Sequence, residues 1–375
     1  MEITSVSFEE RRAGLKKFLI DTQGNTLNLE SGEKLSNVEI GFKTYGKESN
    51  KQDRTIYICH SLSADCHLTK YPISGQNGWW PKFVGPGKTI DLNRYFIVCS
   101  NFLGGCFGST GPSSLDKQTG NPYGLRFPLI TFKDVVKCKR LLLNHLGIEQ
   151  LHAIIGGSFG GLQALKFIQH NPHYVKKTII MSANASVSSF ALGINRLARW
   201  AIENDSNFNS GDYYGLEPPT EGLALARAIM EHSFITHTAM QKRFARKSIN
   251  NKPLFSREHE FEISSELVNK GRAFANVFDA NTFWYTLKLI DQFNLGNSDQ
   301  IASEFSEVGT SFLHFAVPTD SYFPASESSI LLDGLDKAGL KVERQCLDSE
   351  IGHDAFFTDV KQIGKIISQF LEDPS

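Results

Sequence analysis

The chain has 375 residues, 39 Lys and Arg against 40 Asp and Glu, a formal net charge of −1, and 41% hydrophobic residues. That much apolar material excludes a disordered or fibrous chain. The charge balance excludes bulk attraction to nucleic acid or to an anionic membrane surface.

In chain order, the N-terminal MEITSVSFEERRAGLKKF is charged and lacks the apolar run of a secretory signal. No stretch approaches about 18 apolar residues, so no membrane-spanning helix is expected, and a cytoplasmic location is the expectation. The cysteines are Cys59, Cys66, Cys99, Cys106, Cys138 and Cys346, and none forms a C-x-x-C pair. Zinc-ribbon and thioredoxin-like sites are therefore not expected, nor any other metal site. Cys59 and Cys99 fall inside apolar runs and read as buried small hydrophobes.

Thr55–Ser61, Tyr95–Ser100, Leu151–Ile155 and Lys177–Ser182 read as strands buried on both faces. Phe132–Leu146 has helical apolar spacing and Gly147 as a stop. Strand–helix–strand alternation predicts a parallel sheet covered by helices. From about Ala185 to Gly296 the patterns become helical: Leu192–Glu203, Glu221–His232, Thr238–Lys247 and Ala275–Phe293, with a loop at Asn204–Pro219. Strand signals return at Ser311–Val317 and Val342–Leu347, and a final helix fits Asp359–Leu371. The expected organisation is one α/β core, residues 1–184 and 297–375, interrupted by a helical domain at 185–296.

One motif carries chemistry. Leu151–Leu165 reads LHAIIGGSFGGLQAL, a G-x-S-x-G between a strand and a helix. A nucleophile elbow requires this context. The serine must sit on a sharp turn, so small residues on both sides let strand and helix approach. A bare G-x-S-x-G is weak; its flanks raise the catalytic reading above that of an incidental turn. A phosphate loop would need a Lys-Ser/Thr pair after the last Gly, which is missing.

A serine hydroxyl needs a base, and the base needs an orienting carboxylate. With such an elbow the order along the chain is Ser, acid, His, each after a strand. Asp320 follows strand 311–317, and His353 follows strand 342–347, with Gly352 permitting a tight loop. Asp333, Asp336 and Asp348 are the rival acids, the first two in a helix-like segment and the third before the His loop. His60 ends a strand and reads as structural. The oxyanion donors expected by topology are the backbone N–H groups of Phe159 and Leu62.

HSLSAD (60–65), GPGKTID (85–91), NFLGGCFGSTGPSS (101–114), NPYGLRFPLITFKD (121–134), GGSFGGLQAL (156–165), FDANTFWY (278–285) and GHDAFF (352–357) together resemble the homoserine O-acetyltransferase family of the α/β-hydrolase fold. The likeness spans most of the chain. It implies a ping-pong transfer of the acetyl group of acetyl-CoA, a co-substrate rather than a bound cofactor, to the hydroxyl of L-homoserine. Ser158 would carry the acetyl group, His353 would act as base, and Asp320 would hold the imidazole. The family's helical insertion caps the site and carries a homodimer contact. Its Asn-x-x-x-Arg pattern falls on Asn195 and Arg199, with Arg199 the carboxylate ligand and Arg196 its rival. Tyr214 matches a tyrosine of the pocket, and Asp354 matches an aspartate that contacts substrate.

The sequence departs from the family at Ala64, where Gly is common, and at Tyr322, where Leu or Arg follows the acid motif. Arg there would suit succinyl-CoA; Tyr322 lacks that charge and favours acetyl. The alternatives are transfer to serine, transfer of succinyl, and ester hydrolysis with the same triad. A binding protein without catalysis would not need all three triad residues.

Overall fold

A computed structural model describes residues 6–20 and 26–373. The first residues of the charged N-terminal stretch, 1–5, lie outside the described residues. The main sheet has eight strands: β1 (Lys16–Leu19), β2 (Glu39–Tyr45), β3 (Thr55–Cys59), β4 (Phe96–Ser100), β5 (Leu151–Gly157), β6 (Val175–Met181), β7 (Ser311–Ala316) and β8 (Val342–Cys346). Their order is β1-β2-β4-β3-β5-β6-β7-β8. The β1–β2 and β2–β4 pairs are antiparallel and all the others parallel. This is the mostly parallel sheet of the α/β-hydrolase fold. The two antiparallel strands at the N-terminal edge are not expected from sequence, because both mix charged with apolar residues and β1 is only four residues long.

The helices are α1 (Phe8–Arg12), α2 (Phe132–His145), α3 (Phe159–His170), α4 (Ser189–Glu203), α5 (Thr220–Phe234), α6 (His237–Arg243), α7 (Glu262–Ala275), α8 (Ala280–Asp291), α9 (Ser298–Glu304), α10 (Ser328–Lys337), α11 (Ala355–Thr358) and α12 (Val360–Glu372). Strand residues alternate between two cores: Tyr57, Cys59, Phe96 and Val98 face α2 and α3, and Ile56, Ile58, Ile97 and Cys99 face α12. Both faces of the sheet are thus dry, which is why its strands read as continuous apolar runs. Thr131 starts α2 through a reciprocal capping box with Asp134, and Gly147, at φ +68°, follows its end.

Among the described residues the named elements between β6 and β7 are all helical. The helix expected at 275–293 is α8, which starts only at Ala280. Asp279 caps α8 by accepting from the Thr282 N–H, and this cap breaks the chain away from α7. Helix α7 itself is not anticipated by the sequence pattern. The helix expected at 238–247 stops at Arg243, and Ala245 takes a positive φ of 47°.

Candidate active site

The elbow is built by close backbone approach. Ser158 sits at φ 55°, ψ −128°, a conformation that L-residues rarely adopt. A Cβ on Gly156 would lie 2.1 Å from the Gly160 carbonyl oxygen, and a Cβ on Gly160 would lie 2.1 Å from that of Cys59. Only glycine lets β5, α3 and β3 converge this tightly. The Ser158 N–H donates to the Met181 carbonyl at 2.9 Å, which ties the turn to β6.

Two later loops complete the line. His353 Nε2 lies 2.8 Å from Ser158 Oγ, and His353 Nδ1 lies 2.7 Å from Asp320 Oδ2. The second oxygen, Asp320 Oδ1, accepts the Tyr322 N–H at 2.8 Å and the Phe323 N–H at 2.9 Å. The His353 loop is anchored by α5: the His353 N–H donates to the Phe234 carbonyl, at the end of that helix, at 3.0 Å. Gly352 adopts φ +94°, and a Cβ there would meet the same carbonyl at 2.7 Å.

The imidazole is packed among the rings of Phe234, Tyr322, Phe323 and Phe356. Burial alone lowers its pKa, but the charge and hydrogen bond of Asp320 outweigh that, and the net direction is upward. A base strengthened by a buried carboxylate, within bonding distance of a hydroxyl, can take that proton. Among the described residues, neither the Leu62 nor the Phe159 N–H has an internal acceptor. Phe159 opens α3, where the helix dipole favours negative charge. His60 is buried, bonds the Ser61 carbonyl through Nδ1, and has its pKa pushed down to about 4 by burial. It therefore stays neutral.

Ser158 and His353 open on a small cavity of about 30 Å³, lined also by Leu62, Tyr322, Asp354 and Arg227. Arg227 comes from α5 together with Met230 and Phe234, one face of the helix at i, i+3, i+7. Its guanidinium pairs with Glu231 and stacks over Phe274 at 5.0 Å. Lys270 lies 3.5 Å from the same Glu231. The Asp354 carboxyl has its pKa raised by burial first and by the Glu231 charge second.

The structure therefore brings together Ser158, Asp320, His353, Leu62, Phe159, Asp354 and Tyr322. It does not bring Arg199 or Tyr214 into the cavity. Arg199 points to Asp291 at 2.6 Å; Asp291 also holds Asn195, and Asn195 accepts the Tyr322 hydroxyl at 2.7 Å. Arg199 thus backs Tyr322 at third hand. Tyr214 and Tyr213 both donate to Asp279, beside a separate cavity of about 410 Å³. The guanidinium at the cavity is Arg227, which sequence reasoning misses. The available signal is a lone cation on the apolar face formed by Leu223, Met230 and Phe234. Cys106 is buried, and burial raises its thiol well above the ordinary value.

A model of the α/β hydrolase fold matches residues 54–360. The homoserine O-acetyltransferase of Methanosalsum zhilinae is 39% identical over 350 residues, covering 92% of this chain and 71% of that protein. That of Solidesulfovibrio magneticus is 36% identical over 376 residues, covering 98% and 94%. A crystal structure of homoserine O-acetyltransferase from Bacillus anthracis superimposes with a TM-score of 0.87 at 28% identity, over 96% of this chain and 97% of that one. Esterase E22 superimposes with a TM-score of 0.84 at 25% identity, over 96% and 100%.

Proposed function

Because the chain belongs to the homoserine O-acetyltransferase family of the α/β-hydrolase fold, we propose that it transfers the acetyl group of acetyl-CoA to the hydroxyl of L-homoserine through an acetyl-serine intermediate, a step toward methionine. The observation that carries this reading is the unbroken Ser158–His353–Asp320 line at the floor of a cavity holding both a cation and a carboxylate.

In the first half-reaction His353 Nε2 takes the Ser158 proton as Oγ attacks the thioester carbonyl. The Leu62 and Phe159 N–H groups hold the oxyanion. The C–S bond breaks, the imidazolium protonates the sulfur, and CoA leaves as the thiol. In the second half-reaction His353 takes the proton of the acceptor hydroxyl, which attacks the acetyl-serine. The new ester leaves, and the proton returns to Ser158. In this reading Arg227 takes the acceptor carboxylate and Asp354 its ammonium, which their position on the cavity wall supports. Tyr322 brings no charge to the acyl pocket, which favours acetyl over succinyl.

Esterase E22 supports a second reading, ester hydrolysis, since the same acyl-enzyme can yield to water. The Arg227 and Asp354 pair favours an amino-acid acceptor. The deciding assay follows thiol release from acetyl-CoA and from succinyl-CoA, with homoserine, with serine, or with neither. Release that requires homoserine supports the proposal; release without an amino acid favours hydrolysis. The insertion leaves Trp200, Leu197 and Leu225 exposed along α4 and α5, beside a groove of about 740 Å³. A homodimer through this face is part of the same proposal, as is a cytoplasmic location.

A further inference from the structure

The oxyanion hole rests on two amides, and only one is fixed by regular structure. Phe159 belongs to α3. Leu62 sits in the loop after β3, inside a turn closed by the Ala64 N–H and the Ser61 carbonyl at 3.2 Å. A donor that must meet a developing charge needs its position held to a few tenths of an ångström. Something outside the turn has to hold it.

Asp65, three residues beyond Leu62, is completely buried, and its carboxylate has four polar neighbours. Its Oδ1 takes the His67 N–H at 2.7 Å and lies 3.1 Å from His67 Nδ1. Its Oδ2 takes the Tyr71 hydroxyl at 2.9 Å and Arg11 Nη1 at 3.0 Å. Arg11 is also completely buried, and its ring neighbours are Phe107 at 5.0 Å and Tyr71 at 5.9 Å. The same Nη1 reaches the Ser63 carbonyl at 3.4 Å, next to Leu62 in the turn. Its neighbour Glu10 accepts the Ile73 and Ser74 N–H groups, clamping the segment that follows. Helix α1 thus grips the oxyanion loop from outside the sheet at two places. A buried ion pair gives little net stability against an apolar pair of the same volume, so a role in geometry accounts for it better.

We propose that Arg11 is a positioning residue for the reaction, holding the Leu62 amide in place through the Ser63 carbonyl and the Asp65 carboxylate. This rests on the reading of Ser158 as the acyl-carrying nucleophile. Arg11 touches no substrate and acts only through the loop.

The test compares wild type with Arg11→Met and Arg11→Lys. Three quantities are read: kcat and KM with acetyl-CoA and homoserine; the burst of nitrophenol from p-nitrophenyl acetate, which needs no acceptor; and the affinity of a boronic acid, whose serine adduct fills the oxyanion hole. Loss of a whole oxyanion donor costs about 100- to 1,000-fold in kcat. A displaced donor is expected to cost about 10- to 100-fold in kcat and in burst rate, with weaker boronate binding and both KM values within about threefold. A purely structural role would lower the melting temperature and leave these readouts alone. A folded Arg11→Met variant with kcat, burst rate and boronate affinity within about twofold of wild type overturns the proposal. If Arg11→Met does not fold, Arg11→Lys decides. It keeps the charge and loses the planar fork, and the same limit applies. If wild type acetylates no homoserine, the acceptor reading fails, while the burst and the boronate still judge Arg11. If Ser158→Ala retains the burst, the nucleophile reading fails and Arg11 falls with it.

Discussion

Replacing Asp320 by asparagine separates two ways in which a carboxylate can serve an imidazole. If Asp320 contributed only a charge-assisted hydrogen bond, its loss would cost about 1.5–3 kcal/mol, roughly 10- to 150-fold. The geometry demands more. Oδ1 already accepts two backbone N–H groups, from Tyr322 and Phe323, and only an oxygen can do that. The asparagine amide must therefore keep its oxygen there and turn its NH2 toward His353 Nδ1. Nδ1 becomes an acceptor, the ring proton moves to Nε2, and Nε2 can no longer take the Ser158 proton. Loss of the correct tautomer in a serine triad costs about 10⁴ in kcat, equivalent to about 5.5 kcal/mol. The substitution also removes the charge that lifts the His353 pKa and leaves burial to lower it. The acid limb of the pH profile should then move downward. The assay is thiol release from about pH 5.5 to 9, with KM values and melting temperature measured in parallel. A folded Asp320→Asn enzyme with kcat within about tenfold of wild type, or an unmoved acid limb, would refute the reasoning.

Ser158→Ala should abolish turnover and leave the fold intact; acetyl incorporation seen by mass spectrometry in that variant would remove Ser158 from the chemistry. Arg227→Ala should raise the KM for the amino acid by about tenfold or more, with the acetyl-CoA KM little changed. Arg199→Ala should instead act on stability, by about 3–5 kcal/mol, because it strands Asp291 in a site only 14% exposed. Steady-state kinetics beside denaturant unfolding tells the two arginines apart, and an amino-acid KM that follows Arg199 rather than Arg227 would reverse the assignment. Gly160→Ala should cost about 3 kcal/mol or more, since its Cβ meets backbone that cannot step aside; a stable, active variant would show that the elbow is looser than described. His353 gives stability and activity opposite pH slopes. A raised folded-state pKa stabilises below the unfolded value of about 6.5, and that contribution is lost as pH rises through the folded value, where the neutral base becomes available. Melting temperature and kcat/KM, each followed from about pH 6 to 9, check the crossing.

The sheet and the triad are legible because both impose rules on local sequence. Strands dry on both faces must be apolar throughout, and an elbow must be glycine-rich on both sides of its serine. Position just past a strand end then separates Asp320 from Asp333 and Asp336, which lie in α10. The acceptor end is less legible. Arg199 and Arg227 both stand on amphipathic helices, and only the packing of α4 against α8 decides that the first meets Asp291. Tyr214 stands in a loop whose path depends on Asp279, a cap that sequence periodicity runs straight through. Side chains that meet across an insertion are chosen by tertiary contacts, and no local pattern records them.

The hydrogen bond from the His353 amide to the last turn of α5 means that the base is partly supported by the roof above it. Cutting away the helices to turn the transferase into an open hydrolase would therefore loosen the imidazole at the same stroke. If Arg227 binds the acceptor, the acceptor could change through side chains on α5 while the helix that holds the base stays in place. A substitution that shifts that end of α5 would reach the base directly, through this one hydrogen bond.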